Sequence, residues 1–237
     1  MEKPPEIIYK YRDWEDVNHQ KLLKERELYF SSCEYFNDSN DLRIPYAMNY
    51  EIICSICKKN NIPKPNKKDA PGVIAKFQQQ QQLRRNKTGV VSLSANYNID
   101  LMWNKYANNH KGFCVGFNTY KLIQAIPEEC SLLPVSYSPD QPICNCYDDN
   151  EQAVLPLITK SLDWEYEDEY RLIFLDQAGY KFKVDNSIIS EIYLGAKMSD
   201  KHCSEITNFI SENLNHVKVY KENLNNDSFD LTFHPME

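Results

Sequence analysis

The stretch TGVVSLSANYNIDLMWNKYANNHKGFCVGF, residues 88–117, decides how the chain is built. Thr88 to Ser94 is a short run of strand-type apolar residues, in which Ser92 and Ser94 alternate with Leu93. Leu101 to Tyr106 carries Trp103 and Tyr106 at i, i+3 and reads as a short helix. Gly112 then releases the chain into a second apolar strand that ends at Phe117. Outward from this core, strands are expected at Ile7 to Tyr11 and Glu27 to Ser32. Further strands follow at Leu132 to Tyr137, Glu167 to Leu175, Tyr180 to Val184 and Ile188 to Leu194. Helices are expected over Trp14 to Arg26, Tyr46 to Asn61, Val73 to Arg85, Glu151 to Lys160 and Asp200 to Leu214, the last capped by Ser199 or Asp200. Strands and helices do not alternate regularly, which argues against a doubly wound parallel sheet. The expected fold is α+β: a compact single domain over residues 1–237, with mostly antiparallel strands, covering helices and strands concentrated after residue 88. Breaker-rich residues 63–72 form an exposed insertion loop.

Composition narrows the function classes. Only 6 of 237 residues are Gly, and neither GxGxxG nor GxxxxGK[ST] occurs, so a glycine-rich phosphate loop is not expected. A net charge of −7 argues against an extended nucleic-acid groove, while leaving room for one nucleotide or one RNA end. The start has no apolar targeting segment and no stretch of membrane-spanning length, so the expectation is a cytoplasmic protein without a membrane partner. The eight cysteines then read as reduced thiols, most of them in the core. Cys54-Ser-Ile-Cys57 and Cys144-Asn-Cys146 have irregular spacing for zinc, and no metal is expected.

Three separated segments carry ligand-site chemistry. Arg12 follows the first strand and offers a planar fork of donors suited to phosphate, or a partner for Asp13 or Glu15. Ser92 and Ser94 share one strand face and suit a ribose or an amide, or a neighbouring strand. Glu167 and Glu169 share a face at the opening of a late strand, where mutual repulsion would raise a pKa unless Lys160 or Arg171 neutralises them. Trp103 and Tyr106 fit a core face or a cofactor contact, and His110 a ligand contact or a helix end.

KYR at 10–12, LYFS at 28–31, FND at 36–38, SLS at 92–94, LMWNKYANNHKGFCVGF at 101–117, WEYEDEYR at 164–171 and IYLG at 192–195 together resemble a widespread bacterial family of unknown function, over residues 8 to 215. The FND block departs from the family, continuing Ser39-Asn40-Asp41 where a proline and an aromatic or apolar residue are usual. The order Arg, Ser-x-Ser, Glu-x-Glu also resembles the Arg–Ser–Glu class of ADP-ribosyltransferases. That resemblance implies an ADP-ribosyltransferase-like split pair of sheets around a cleft for NAD, the co-substrate. Arg12 would hold its phosphates or adenine-side ribose, with Ser92 or Ser94 on the nicotinamide ribose. Glu169 would act at the oxocarbenium-like transition state and Glu167 on an unknown macromolecular acceptor, while Trp103, Tyr106 and His110 complete the NAD site. The roles open to such a protein are a toxin, a defence effector or a housekeeping enzyme. Two other classes stand beside it: a metal-dependent nuclease or phosphoesterase using Glu167, Glu169, His110 and Lys160, and a noncatalytic ligand-sensing domain. The last is favoured if Lys160 and Arg171 neutralise the carboxylates.

Overall fold

The computed structural model describes residues 3–36, 38, 41, 49–140, 150–223 and 230–236. The N-terminal part runs β1 (Ile7–Arg12), α1 (Val17–Lys24), β2 (Glu27–Tyr29), β3 (Ser31–Ser32), α2 (Tyr50–Lys59) and α3 (Ala70–Lys87). The middle part runs β4 (Gly89–Ser94), α4 (Asp100–Tyr106), β5 (Phe113–Asn118), α5 (Thr119–Ala125), β6 (Cys130–Pro134), β7 (Ser136–Ser138), α6 (Asn150–Ile158) and β8 (Thr159–Ser161). The last part runs β9 (Glu169–Phe174), β10 (Lys181–Lys183), β11 (Ile189–Leu194), α7 (Asp200–Asn213), β12 (Lys218–Asn223) and β13 (Thr232–Pro235). The chain is an α+β fold.

Among the described residues one nine-stranded sheet dominates, in the order β13-β12-β11-β5-β1-β4-β9-β6, with β3 added to β4. Its ladders are antiparallel except β11–β12. The join in the middle positions everything that follows. All six residues of β1 pair with β5, and all six of β4 pair with β9, yet β1 and β4 share only the pair Tyr9 and Ser94. The sheet is therefore two blocks hinged at one residue pair, and the ends of β1 and β4 beyond it diverge and leave a gap.

Period-two alternation assigns the faces. Ile8, Val91, Leu93, Val115, Phe117, Leu172 and Ile192 enter one core, closed by Leu22 and Leu23 of α1, Leu122 of α5 and Ile206 and Ile210 of α7. On the opposite face Tyr9, Tyr11, Cys114 and Tyr193 pack against Met102, Trp103 and Ala107 from α4 and its end. A smaller cluster of Val90, Ile173 and Leu157 seats α6 beside β4 and β9. Fully burying each such large apolar side chain contributes roughly 1.5–3 kcal/mol. Gly112 lies so near the end of β1 that a Cβ there would strike the Arg12 carbonyl, which ties the loop after α4 to the site.

Several boundaries differ from expectation for physical reasons. Asp16 caps α1 by accepting from the Asn18 amide, so the helix starts three residues after Trp14. Residues 70–72 belong to α3, because Pro71 suits a first helical turn, and only the earlier part of the supposed loop remains outside it. β9 begins at Glu169; Glu167 closes a 3₁₀ turn over 162–167, and Asp168 takes a left-handed conformation at φ 43° between them. The sequence reading missed α5, β8, β12 and β13; the helix expected over Glu151 to Lys160 stops at Ile158, and Lys160 lies on β8. Residues 46–48 of the expected second helix, and Cys144 with Cys146, lie outside the described residues; the six described cysteines are free thiols. Among the described residues no helix is long and apolar enough to cross a membrane.

Candidate functional site

The gap between β1 and β4 opens into a cleft of about 940 Å³, lined among others by Lys10, Arg12, His19, Ser92, Ser94, Tyr106, Lys160, Trp164, Glu167 and Glu169. Of the sequence-derived site residues, Arg12, Ser92, Ser94, Tyr106, Glu167 and Glu169 are thus brought together. Trp103 and His110 are not among those lining residues. Trp103 is fully buried, meets Tyr11 edge-on with ring centroids 5.3 Å apart and donates from Nε1 to the Tyr97 carbonyl at 2.7 Å. His110 stacks on Trp103, and its ring nitrogens face Glu222 at 2.8 Å and Asp100 at 3.3 Å. With both nitrogens committed there, His110 offers none to Glu167 or Glu169, as the metal-dependent alternative would need. Among the described residues no group of three potential ligands is arranged to hold a metal ion.

The carboxylate end is a closed ionic network. Arg171, on β9, directs Nε to Glu169 at 2.8 Å, Nη1 to Asp41 at 3.0 Å and to the Leu157 carbonyl at 2.9 Å, and Nη2 to Asp41 at 2.5 Å and to Glu169 at 3.0 Å. A guanidinium has five N–H donors, and these five bonds use all of them. Lys160 contacts Glu167 at 2.5 Å and Glu169 at 3.0 Å, and Tyr106 donates its hydroxyl to Glu167 at 2.7 Å. All five charged members are buried.

Of the two expected outcomes, repulsion between Glu167 and Glu169 or neutralisation by Lys160 and Arg171, the second governs Glu169. Burial pushes its carboxyl up, but Arg171, Lys160 and a hydrogen bond from Ser92 outweigh burial and hold it at about 2. Burial likewise acts to lower Arg171 and Lys160, while the carboxylates around each raise both.

The β1 end is the opposite. Alternation places Lys10 and Arg12 on the same side of the strand. Among the described residues neither has a carboxylate within ion-pair distance; Asp13 and Glu15, the expected partners of Arg12, instead accept from Asn108 at 3.2 Å each. Arg12 makes one long bond, 3.5 Å, to the Tyr11 carbonyl. Lys10 reaches across the gap to the Ser92 carbonyl. Burial pulls Arg12 down to about 10, and burial together with Arg12 pulls Lys10 well below the usual lysine range. His19, on α1, lines the same wall, and its Nδ1 is buried without a hydrogen-bond partner.

Sequence reasoning named Lys160 as a neutralising group or as a residue of the metal-dependent alternative, named Arg171 only as a neutralising group, and did not find Asp41, Lys10 or His19. For Lys10 the signal was present, two residues before Arg12 on a strand. Asp41 lies 130 residues from Arg171, and nothing in spacing announces that pairing.

No curated protein and no solved structure matches the chain. Residues 102–172, which run from α4 into β9 and carry Lys160, Glu167, Glu169 and Arg171, match the model of a family described as Protein of unknown function (DUF2971).

Proposed function

We propose that the cleft binds NAD and that the domain is ADP-ribosyltransferase-like, cleaving the nicotinamide–ribose bond and passing ADP-ribose to an acceptor. The observation that carries this reading is the meeting of Arg12, Ser92, Ser94 and Glu169 in one cleft, with Arg12 lacking a carboxylate partner among the described residues. A guanidinium held that way stands ready for a phosphate oxygen. Ser92 already bonds Glu169, so a ribose hydroxyl can join that pair while nicotinamide leaves. Because Arg171 and Lys160 counter its charge, Glu169 acts chiefly as a fixed hydrogen-bond acceptor for the ribose. Glu167 orients the acceptor, assisted by Tyr106.

The same ion pairs favour a second reading, a domain that binds NAD without cleaving it. A carboxylate spent on two cations stabilises a developing ribosyl cation less than a free one would. NAD labelled in the nicotinamide ring separates the two. Release of free nicotinamide, reduced about a hundredfold or more in a Glu169→Gln variant that still binds NAD, supports the transferase. Saturable binding by calorimetry with no release supports the sensor, and absence of binding rejects both.

A further inference from the structure

We propose that residues 57–87, comprising the end of α2, the loop after it and α3, form a docking surface for single-stranded RNA that leads to the rim of the cleft. The surface stands apart from the NAD reading, and its test needs no NAD. The net charge of −7 conceals an uneven distribution. The stretch CKKNNIPKPNKKDAPGVIAKFQQQQQLRRNK holds nine Lys or Arg and one acid, Asp69, for a net charge of +8. The rest of the chain holds 18 Lys or Arg against 33 Asp or Glu, for a net charge of −15. Eight of the nine cations are exposed. A phosphate backbone responds to this local field, not to the charge of the whole chain.

Helix stability does not account for the placement of these cations. Lys58, Lys59, Arg84, Arg85 and Lys87 lie in last turns, where the helix dipole favours them. Lys67 and Lys68 instead precede α3, at the end where the dipole repels cations, and Asp69 is engaged by Asn66 at 3.2 Å. Lys64, Lys67, Lys68 and Lys76 have no carboxylate at ion-pair distance among the described residues. The start of α3 packs on α2 through Ala70 and Ile74, against Ile53 and Cys57. A separate side of α3 presents Lys76, Gln80, Arg84 and Lys87 to solvent at helical spacing, over about 16 Å. The helix then runs into β4, a strand of the cleft, and Asn86 ties its end to the rim by donating to Glu34. The next residue, Tyr35, lines the cleft and is 75% exposed, an open platform for an unpaired base.

The side chains between the cations select the partner. The exposed amides of Gln78, Gln79 and Gln80 both donate and accept, which suits a 2′-hydroxyl, a group that RNA has and DNA lacks. Among the described residues of α3 the exposed large apolar side chains are Val73 and Leu83, too few to seat the helix in a bilayer interface.

Fluorescence anisotropy on the full chain with a labelled oligouridylate of about 16 nucleotides tests the surface. The affinity is expected to fall about a hundredfold between about 50 and 200 mM salt, the response of a strand held by about five phosphate contacts. An oligodeoxyuridylate of equal length should bind about threefold or more weakly. Lys67→Gln, Lys68→Gln, Lys76→Gln and Arg84→Gln combined should weaken RNA binding about tenfold or more and flatten the salt response, with an unchanged urea midpoint showing that the fold is kept. Tyr35→Ala should weaken it about fivefold or more and leave the salt response as it is, since stacking releases no counterions. No binding of the RNA at about 50 mM salt, or equal binding of the deoxy strand, overturns the proposal, and neither measurement needs a variant to fold. Displacement of the RNA by polyglutamate of equal charge assigns the surface to an acidic protein, and tighter binding to phosphatidylserine vesicles assigns it to a membrane; either overturns it. So does a folded variant of either kind with unchanged affinity. None of these outcomes bears on whether the cleft cleaves NAD.

Discussion

The two walls of the cleft solve the same electrostatic problem in opposite ways. At the β9 wall the three carboxylates of Asp41, Glu167 and Glu169 share two cations, Lys160 and Arg171, and every donor of Arg171 is used. At the β1 wall, Lys10 and Arg12 sit partly buried with no carboxylate at ion-pair distance among the described residues. Burying a charge is tolerable when it is paired and hydrogen-bonded, and expensive when it is not. At the β9 wall each buried charge therefore has partners of opposite sign within the chain. The β1 wall carries a cost that an anionic ligand would remove, as expected where stability is given up for binding.

Breaking the paired wall should have the largest effect. Arg171→Leu leaves Asp41 and Glu169 buried without their main partner and is expected to cost about 3–5 kcal/mol, read as a lower urea midpoint at unchanged slope. If the loss is under about 1 kcal/mol, the network is not what separates the walls.

Acid should strike the same wall through its carboxylates. Glu169 titrates at about 2 in the folded chain against an ordinary 4.5, so its contribution to stability is fully present above about 4.5 and is lost as pH falls towards 2. Arg12, even drawn down to about 10, stays protonated throughout that window. Stability measured by urea unfolding between pH 5 and pH 2.5 should fall steeply in the wild-type chain and more gently in Glu169→Gln. Parallel slopes would mean that Glu169 is not a source of acid sensitivity.

The unpaired wall should respond in reverse. Arg12→Ala is expected to leave the urea midpoint unchanged or slightly raised, because it removes a buried charge without a partner. The same change should weaken NAD binding by roughly tenfold to a hundredfold in calorimetry. A destabilised Arg12→Ala chain with unaltered NAD affinity would make Arg12 structural and erase the contrast between the walls.

Much of this site was legible residue by residue, and its pairings were not. Alternation along SLS and around EDE identifies Ser92, Ser94, Glu167 and Glu169 as candidates, though Glu167 reaches the cleft from a 3₁₀ turn and not from the strand. Spacing also groups Trp103 with Tyr106 on one helix face, about 60° apart around the axis, and at the edge of that face one ring enters the core while the other reaches the cleft. Only packing against Tyr11 settles which is which. The gap between β1 and β4 depends on where two ladders stop, and the Asp41–Arg171 pair on a contact across most of the fold. Neither has a local sequence signal.

The smallest expected effect concerns Ser92, which touches both walls through different atoms. Its hydroxyl bonds Glu169, whereas its backbone carbonyl receives Lys10. Ser92→Ala deletes the first contact and keeps the second, because every residue supplies a carbonyl. Glu169 retains Arg171 and Lys160, so the loss should be about 1 kcal/mol of stability, the scale of one hydrogen bond to a well-satisfied carboxylate. Binding of ADP-ribose should change by less than about threefold, since the wall that recognises phosphate is unaltered. Combined with Arg12→Ala, the two stability effects should add within about 0.5 kcal/mol, as expected of sites that share no partner. A larger coupling would show that the walls act as one unit. In that case Lys10, bridging to Ser92 and drawn by Glu169, is the side chain through which they communicate.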